Sequence, residues 1–370
     1  MSNSPDVLAG RLSIYVAFDW GEEIDLERAR QQGAGVVLDI ARRPRTPRSI
    51  ALRPPPLRFP LGPVAVAMPG LAGSAVRSAE ATVFDFAGVS VAFHVPFTLP
   101  RHELRLLAAR LNDPEPSLQI VQAAREAVEP LYHKLQPAIS KPAWDRALSE
   151  EYFVFQFTPA ANVSPDALLG DHADWLAGLL RLEDEPLSAQ EVTEALRLTL
   201  RYGADDLFIP DWGAAVLVDR EGESDETLQV IEFANLRLLE YRHIDRRIDD
   251  ILGWADDLVR KASRSRLAAL RGHHAAMRAR GELRVDAGLF ERTVTALRLV
   301  GDQYLARVYK LLATRFHLPE WERGIERKLE ILEGVYQVAS HRSSDFRSEF
   351  LEVLIVLLIV VEILISIFKH

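Results

Sequence analysis

Cysteine is absent from all 370 residues. That removes disulfides, thiolate catalysis and cysteine-ligated metals, and it suits a reducing compartment. Common catalytic signatures are missing too: there is no HExxH, no GxSxG and no phosphate loop. Met1–Gly10 lacks a basic region followed by an apolar core, so no signal peptide is expected. From Ile40 to Ala79 there is no acid, only seven arginines among many prolines, including Pro54-Pro55-Pro56. Such a stretch reads as an extended loop with solvated charges or as a basic arm for an anionic partner.

What is present has an ordinary globular balance, 48% hydrophobic and 26% charged. The length allows two or three compact units. A net charge of -9 argues against nucleic-acid binding over the whole surface.

One run stands apart. Leu351–Phe368 is eighteen residues, nearly all Leu, Ile, Val or Phe. As a helix it rises about 27 Å, close to a hydrocarbon core of ~30 Å, and it has no polar face of the kind a surface helix needs. The expectation is a transmembrane tail anchor built on Leu351, Leu354, Leu358, Val361, Ile365 and Phe368, with the bulk of the chain on the cytoplasmic or matrix-equivalent side. Glu362 lies about 9 Å inside the run, where a charge is costly, and shares a stripe with Glu352, Ile355, Ile359 and Ser366. That stripe suggests either snorkelling or self-association.

Taken in order, Arg11–Phe18 reads as a strand, Asp25–Gln32 as a helical turn and Gly35–Ile40 as a second strand. Val64–Met68 has the pattern of a short strand. Thr82–Phe86 and Val89–Phe93 flank Ala87-Gly88 like a hairpin. Helices follow at Arg101–Leu111 and Ser117–Leu135, the second ending between Pro130 and Pro137, then a strand at Tyr152–Thr158. Ser164 caps a helix through Leu180, and Ser188 with Glu191 forms a capping box. Leu207–Ile209 and Ala214–Asp219 form a hairpin around Asp211-Trp212-Gly213. From Thr227 onward the pattern is helical. Ile244, Ile248, Ile251, Ala255 and Leu258 step by 4, 3, 4 and 3 residues, a coiled-coil seam, and Leu297 to Leu311 and Ile325 to Ala339 keep the rhythm.

Three stretches carry a resemblance: Phe84–Val91; Asn235–Arg242 with Asp245, Asp249 and Asp250 after it; and the closing run of Gly301–Leu312, Arg327–Leu332 and Glu352–Glu362. From Ala81 to the end the chain resembles the family named for "required for meiotic nuclear division", found in bacteria and mitochondria. The resemblance implies a membrane-attached accessory protein, linked in mitochondrial members to translation, and it supplies no catalytic residues.

Isolated candidates for chemistry are weak. Gly33-Ala34-Gly35 precedes a strand where a dinucleotide fingerprint follows one. His172 and Asp174, at i and i+2, do not face one way on a helix. His273-His274 has no neighbouring carboxylate. No catalytic, cofactor-binding or metal-binding set is therefore expected.

The expected fold is an α+β head, an antiparallel helical stalk and one C-terminal transmembrane helix. The boundaries are 1–40, a strand–helix–strand; 41–80, a basic Pro/Arg-rich loop; 81–220, the head; 225–350, a three-helix stalk; and 351–368, the anchor. A stalk that returns to the bilayer places its first turn at the membrane end. There Arg260, Lys261, Arg264, Arg266, Arg271, Arg278, Arg280 and Arg284 stand against Glu282 alone, as contacts for anionic lipid or a partner. The expected function is a membrane-anchored, self-associating scaffold that docks a protein partner. The alternatives are a tethered enzyme or small-ligand sensor with its site in the head, and a translation-associated tether touching nucleic acid only through a ribosome-type partner.

Overall fold

β1 (Val7–Asp19) sets the plan of the molecule. Leu12, Ile14, Val16 and Phe18 point to one side and are wholly buried, while Arg11, Ser13, Tyr15 and Asp19 point to the other. Because strand side chains alternate, one strand writes an apolar and a polar instruction for the two faces of whatever sheet forms on it. The computed structural model describes residues 7–33, 36–37, 54–66, 68, 75–160, 163–220, 224–262, 303–332 and 334, without the side chains of 36–37, 75–78 and 254–262.

After β1 come β2 (Glu23–Ile24), α1 (Leu26–Gly33), β3 (Val36–Val37), β4 (Leu57–Ala65), β5 (Ala75–Val83) and β6 (Gly88–Pro100). Then follow α2 (Arg101–Leu111), α3 (Pro114–Leu135), β7 (Ile139–Ser140), β8 (Glu150–Phe157), α4 (Pro165–Leu169), α5 (Ala173–Arg181) and α6 (Ala189–Leu196). β9 (Leu207–Pro210), β10 (Ala214–Val218) and α7 (Asp225–Ala262) complete this run, and two further helices span Gln303–Arg315 and 318–332. Eight strands form one mixed sheet in the order β3-β4-β5-β6-β1-β8-β10-β9, and β2 pairs separately with β7. β8 and β10 run parallel; the other described pairs are antiparallel.

The apolar face carries the main core. Leu104, Leu107, Ala108 and Leu111 of α2 and Ile120, Ala124, Val128 and Leu135 of α3 step at helical spacing and pack into it, with Leu176 and Leu179 of α5. Each buried leucine, isoleucine or valine among them contributes about 1.5–3 kcal/mol. α3 runs through Pro130 and ends at Leu135, between Pro130 and Pro137 as the sequence suggests. Pro130 sits on the exposed side, so water can meet the carbonyl its missing N–H leaves open. The caps are local chemistry. The Ser188 hydroxyl accepts the Glu191 N–H at 3.2 Å, and Ser164 does the same for Ala167 at 3.2 Å, although α4 stops at Leu169 and α5 starts afresh.

Within the acid-free stretch, residues 57–65 are β4 and residues 75–79 begin β5. β4 keeps Pro60 and Pro63 by breaking register on either side of Gly62, and Arg58 pairs with Glu80 of β5 at 3.3 Å.

The polar face receives α7. Phe233, Leu236 and Leu239 pack on Ala17, Phe84 and Leu148, and the Asn235 amide donates to the Glu150 carbonyl at 3.2 Å. This corrects the expected architecture. Residues 227–241 are buried without interruption, so the first part of the expected stalk packs against the sheet instead. The compact units follow suit: Met1–Arg242 with Thr293–Pro319 form one, and His243–Arg292 with Glu320–His370 the other. In the second unit Lys328 meets Asp245 at 2.6 Å and Asp249 at 2.7 Å, and Ile248 and Ile325 are buried.

The membrane reading is also corrected. Among the described residues no helix is long and apolar enough to cross a membrane. The longest, α7, is interrupted by Arg237, Glu240, Arg242 and the charges after them. Leu351, Leu354, Leu358, Val361, Glu362, Ile365 and Phe368 lie outside the described residues. The tail anchor, the transmembrane fold class and the membrane localisation are not retained.

Candidate functional site

The register of β1 with its two neighbours places polar residues opposite one another on the polar face. Arg11 faces Gln156 of β8, and Ser13 faces His94 of β6. The Arg11 guanidinium donates to Gln156 Oε1 from Nη2 at 2.7 Å and from Nε at 3.3 Å. With its oxygen so held, the amide must turn its nitrogen inward, and Gln156 Nε2 donates to Ser13 Oγ. Ser13 then has its own proton to give, and His94 Nδ1 lies 2.7 Å away as acceptor. The remaining ring nitrogen, Nε2, stands 3.5 Å from Glu80 Oε1, and Glu80 is paired to Arg58. Burial alone would raise the Glu80 carboxyl, but His94, Arg58 and Arg11 outweigh it and hold the group below the ordinary glutamate range.

Serine, histidine and glutamate in a row have the residue types of a nucleophile, its base and the base's orienting group. Exposure decides against that chemistry. Ser13 has 0% exposed surface, and its oxygen is already engaged by Gln156 and His94, so no substrate carbonyl can approach it. The row is a partly buried polar network, closed at Ser13 and Gln156, spanning β8, β1, β6, β5 and β4.

Its outer end opens to solvent. Arg11 and Gln156 form part of the wall of a cleft of about 800 Å³. The carboxyl ends of β8 and β10 meet here, at Phe157 and Asp219, whose backbone is tied by the Asp219 N–H to the Phe157 carbonyl at 3.1 Å. Beyond this point the two parallel strands part. β8 leads to α4, whose Leu168 joins the apolar core, and β10 leads to α7 on the polar face, with Ser224 and Asp225 lining the cleft. Connections that leave parallel neighbours toward opposite faces open a crevice between them. Gly10 lets β1 come close: a Cβ there would lie 2.4 Å from the Gln156 carbonyl oxygen and 2.7 Å from the Phe97 ring. The lining holds both signs of charge, Arg11 and Arg220 against Asp219 and Asp225.

The residues expected to matter are elsewhere. Arg260 and Lys261 fall in the last turns of α7, where side chains are not described; Arg264, Arg266, Arg271, Arg278, Arg280 and Arg284 lie outside the described residues, as do His273 and His274. Gly33 ends α1, while Ala34 and Gly35 are outside. His172 precedes α5, and Asp174 is taken by Arg105 at 3.0 Å. Among the described residues no group of three or more His, Asp or Glu could hold a metal ion. Arg11, Ser13, His94 and Gln156 went unmarked because the signal is faint: polar residues at every second position of strands that are otherwise buried.

The model of a family described as "Uncharacterized protein MJ0711, N-terminal domain" matches residues 9–225, from the cleft edge of β1 to the first residue of α7. A curated relative, "Uncharacterized protein MJ0711" of Methanocaldococcus jannaschii, is 26% identical over 248 residues, which cover 66% of this chain and 74% of the relative. No solved structure matches. These findings overturn the resemblance to the meiotic nuclear division family. Of the runs on which it rested, Asn235–Arg242 lies in α7 and Phe84–Val91 is the turn into β6, patterns that packing against any sheet produces, while Glu352–Glu362 lies outside the described residues. The membrane-attached and translation-linked roles it implied go with it.

Proposed function

The chain belongs to the family of the N-terminal domain of uncharacterized protein MJ0711, and we propose that its first unit is a binding module for a small polar molecule. The supporting observation is the place of the cleft: it opens at the carboxyl ends of β8 and β10, where their connections diverge. Its volume of about 800 Å³ suits a metabolite-sized ligand, and its walls supply guanidinium, carboxylate, amide and hydroxyl groups beside apolar ones such as Val163 and Leu217. The Arg11–Gln156 pair gives one wall a fixed orientation before any ligand arrives, which lowers the cost of binding.

The test is a screen of small charged metabolites against the full chain by thermal shift and NMR, repeated with Ala9→Trp. Ala9 is exposed and lines the cleft, so an indole there fills it without disturbing the buried network. Ligands that stabilise the native chain and lose their effect in Ala9→Trp support the proposal. Equal effects on both proteins refute it.

A second reading, docking of a protein partner, draws on two exposed aromatics near the short edge strand β9: Tyr202 at 74% and Trp212 at 48% exposure. Aromatic side chains are enriched where proteins bind one another. Tyr202→Ser with Trp212→Ser should then abolish co-purification of a stoichiometric partner and leave the cleft's ligands unaffected.

A further inference from the structure

A helix buried from residue 227 to residue 241 is expected to be apolar all round, yet α7 carries two glutamates in that span. Glu232 is 2% exposed and Glu240 is 9% exposed. Eight residues apart, they belong to one face of the helix. Glu232 lies beside Arg58 of β4, Thr82 of β5 and Ser90 of β6, with Glu80 of β5 and Tyr15 of β1 nearby. Glu240 faces Asp19 of β1 and Arg237 one turn back along its own helix. Each carboxyl thus meets one guanidinium and one second carboxyl.

The hydrogen bonding at these seats is incomplete. Glu232 Oε1, Glu240 Oε1 and Arg58 Nε are buried without a hydrogen-bond partner. A contact selected for stability alone would place leucine or glutamine there, since neutral residues of similar volume avoid desolvating a charge. Two glutamates instead make the seat of α7 depend on whether each carries a proton.

We propose that α7 is a proton-operated latch, seated on the polar face of the sheet while Glu232 and Glu240 are protonated and loosened as they ionise. Burial raises Glu232 to about 7; Arg58 and the Ser90 and Thr82 hydroxyls oppose the rise, while Glu80 adds to it. Glu240 is raised well above its ordinary value, first by burial and then by Asp19, with Arg237 opposing. Both groups bind protons more tightly folded than unfolded. Their stabilisation is therefore complete below the unfolded value of 4.5, and the part due to Glu232 is lost as pH rises through about 7. Above that, Glu80 and Glu232 are two carboxylates sharing Arg58. Since Ser224 and Asp225 at the start of α7 line the cleft, the same loosening removes one of its walls. The latch itself stands whether or not the cleft binds a ligand.

Hydrogen exchange read by mass spectrometry on the full chain tests this without a ligand. With rates corrected for intrinsic pH dependence, protection of residues 227–241 relative to β1 should fall on the order of tenfold or more between about pH 5.5 and about pH 8.5. Glu232→Gln, a neutral isostere of the protonated acid, should keep most of that protection at the upper pH, and Glu232→Leu provides a second neutral variant. Constant protection of α7 across this range overturns the latch. So does a fall of the same size in both neutral variants.

Discussion

Arg11 and Gln156 stand directly opposite each other on β1 and β8, and two contacts from the guanidinium, at 2.7 and 3.3 Å, decide which way the glutamine amide points. From that orientation the rest of the buried network follows, and it makes the residues of the network interdependent. Gln156→Leu should cost about 1–3 kcal/mol in urea denaturation, because it strips a donor from buried Ser13 and an acceptor from Arg11. Ser13→Ala should cost less once Gln156 is already leucine. A double-mutant cycle is expected to give a coupling of roughly 0.5–3 kcal/mol, and strictly additive losses would mean that Gln156 and Ser13 do not act together.

The same logic assigns a tautomer. Ser13 receives the Gln156 N–H and so gives its own proton to His94 Nδ1, which leaves the ring proton on Nε2 facing Glu80. Nitrogen chemical shifts of the neutral His94 ring should show the Nε2–H form. Ser13→Ala removes the donor at Nδ1 and should mix the two tautomers. A native ring found as Nδ1–H contradicts the directed chain.

Arg315 holds together pieces that are distant in sequence. It is buried; its Nε donates to the Pro210 carbonyl at 3.1 Å, its Nη2 to the Ala195 carbonyl at 3.0 Å and its Nη1 to Glu194 at 3.1 Å, with Asp211 3.7 Å away. Arg315→Leu strands buried carbonyls and removes a counterion from Asp211, so a loss of about 3–5 kcal/mol is expected. Lysine should recover little, since one ammonium cannot reach acceptors arranged around a planar fork. Recovery to near wild-type stability by lysine would show that charge alone matters there.

Glu151 supplies a second pH dependence, separate from α7. Burial raises it to about 7, opposed by the Ser117 hydroxyl and helped by neighbouring Glu150. The Ser117 hydroxyl donates to it at 2.9 Å. A raised carboxyl contributes stability at low pH that is lost as pH rises from 4.5 through about 7. Glu151→Gln should therefore be neutral near pH 4 and more stable than wild type at about pH 8, by up to about 2 kcal/mol after allowance for solvent screening. Denaturation midpoints across pH would show this as a divergence of the two curves. Parallel curves would place the titration elsewhere.

Local chemistry was legible in the chain. α2 begins and ends where its periodicity puts it, Ser188 caps α6 through the Glu191 N–H, and the β9–β10 hairpin turns on Asp211-Trp212-Gly213. Each rests on interactions within a few residues. Misreadings arose where a long-range partner changed what a local pattern meant. The prolines of β4 suggested a loop, but an irregular register near the sheet edge accommodates them. The helical pattern from Thr227 onward suggested a stalk, but its first part, residues 227–241, is buried against the sheet.

By itself the sequence determined segments such as β1, α2 and β10 and which side of each is apolar, because alternation and helical spacing act over a few residues and need no partner. Only the tertiary structure decided that β8 lies between β1 and β10, and with it every feature of the candidate site. Arg11 and Gln156 are 145 residues apart, and so short a contact exists only after the sheet has chosen its strand order. That choice depends on the apolar faces of all eight strands packing at once, a cooperative sum that no single window of sequence contains.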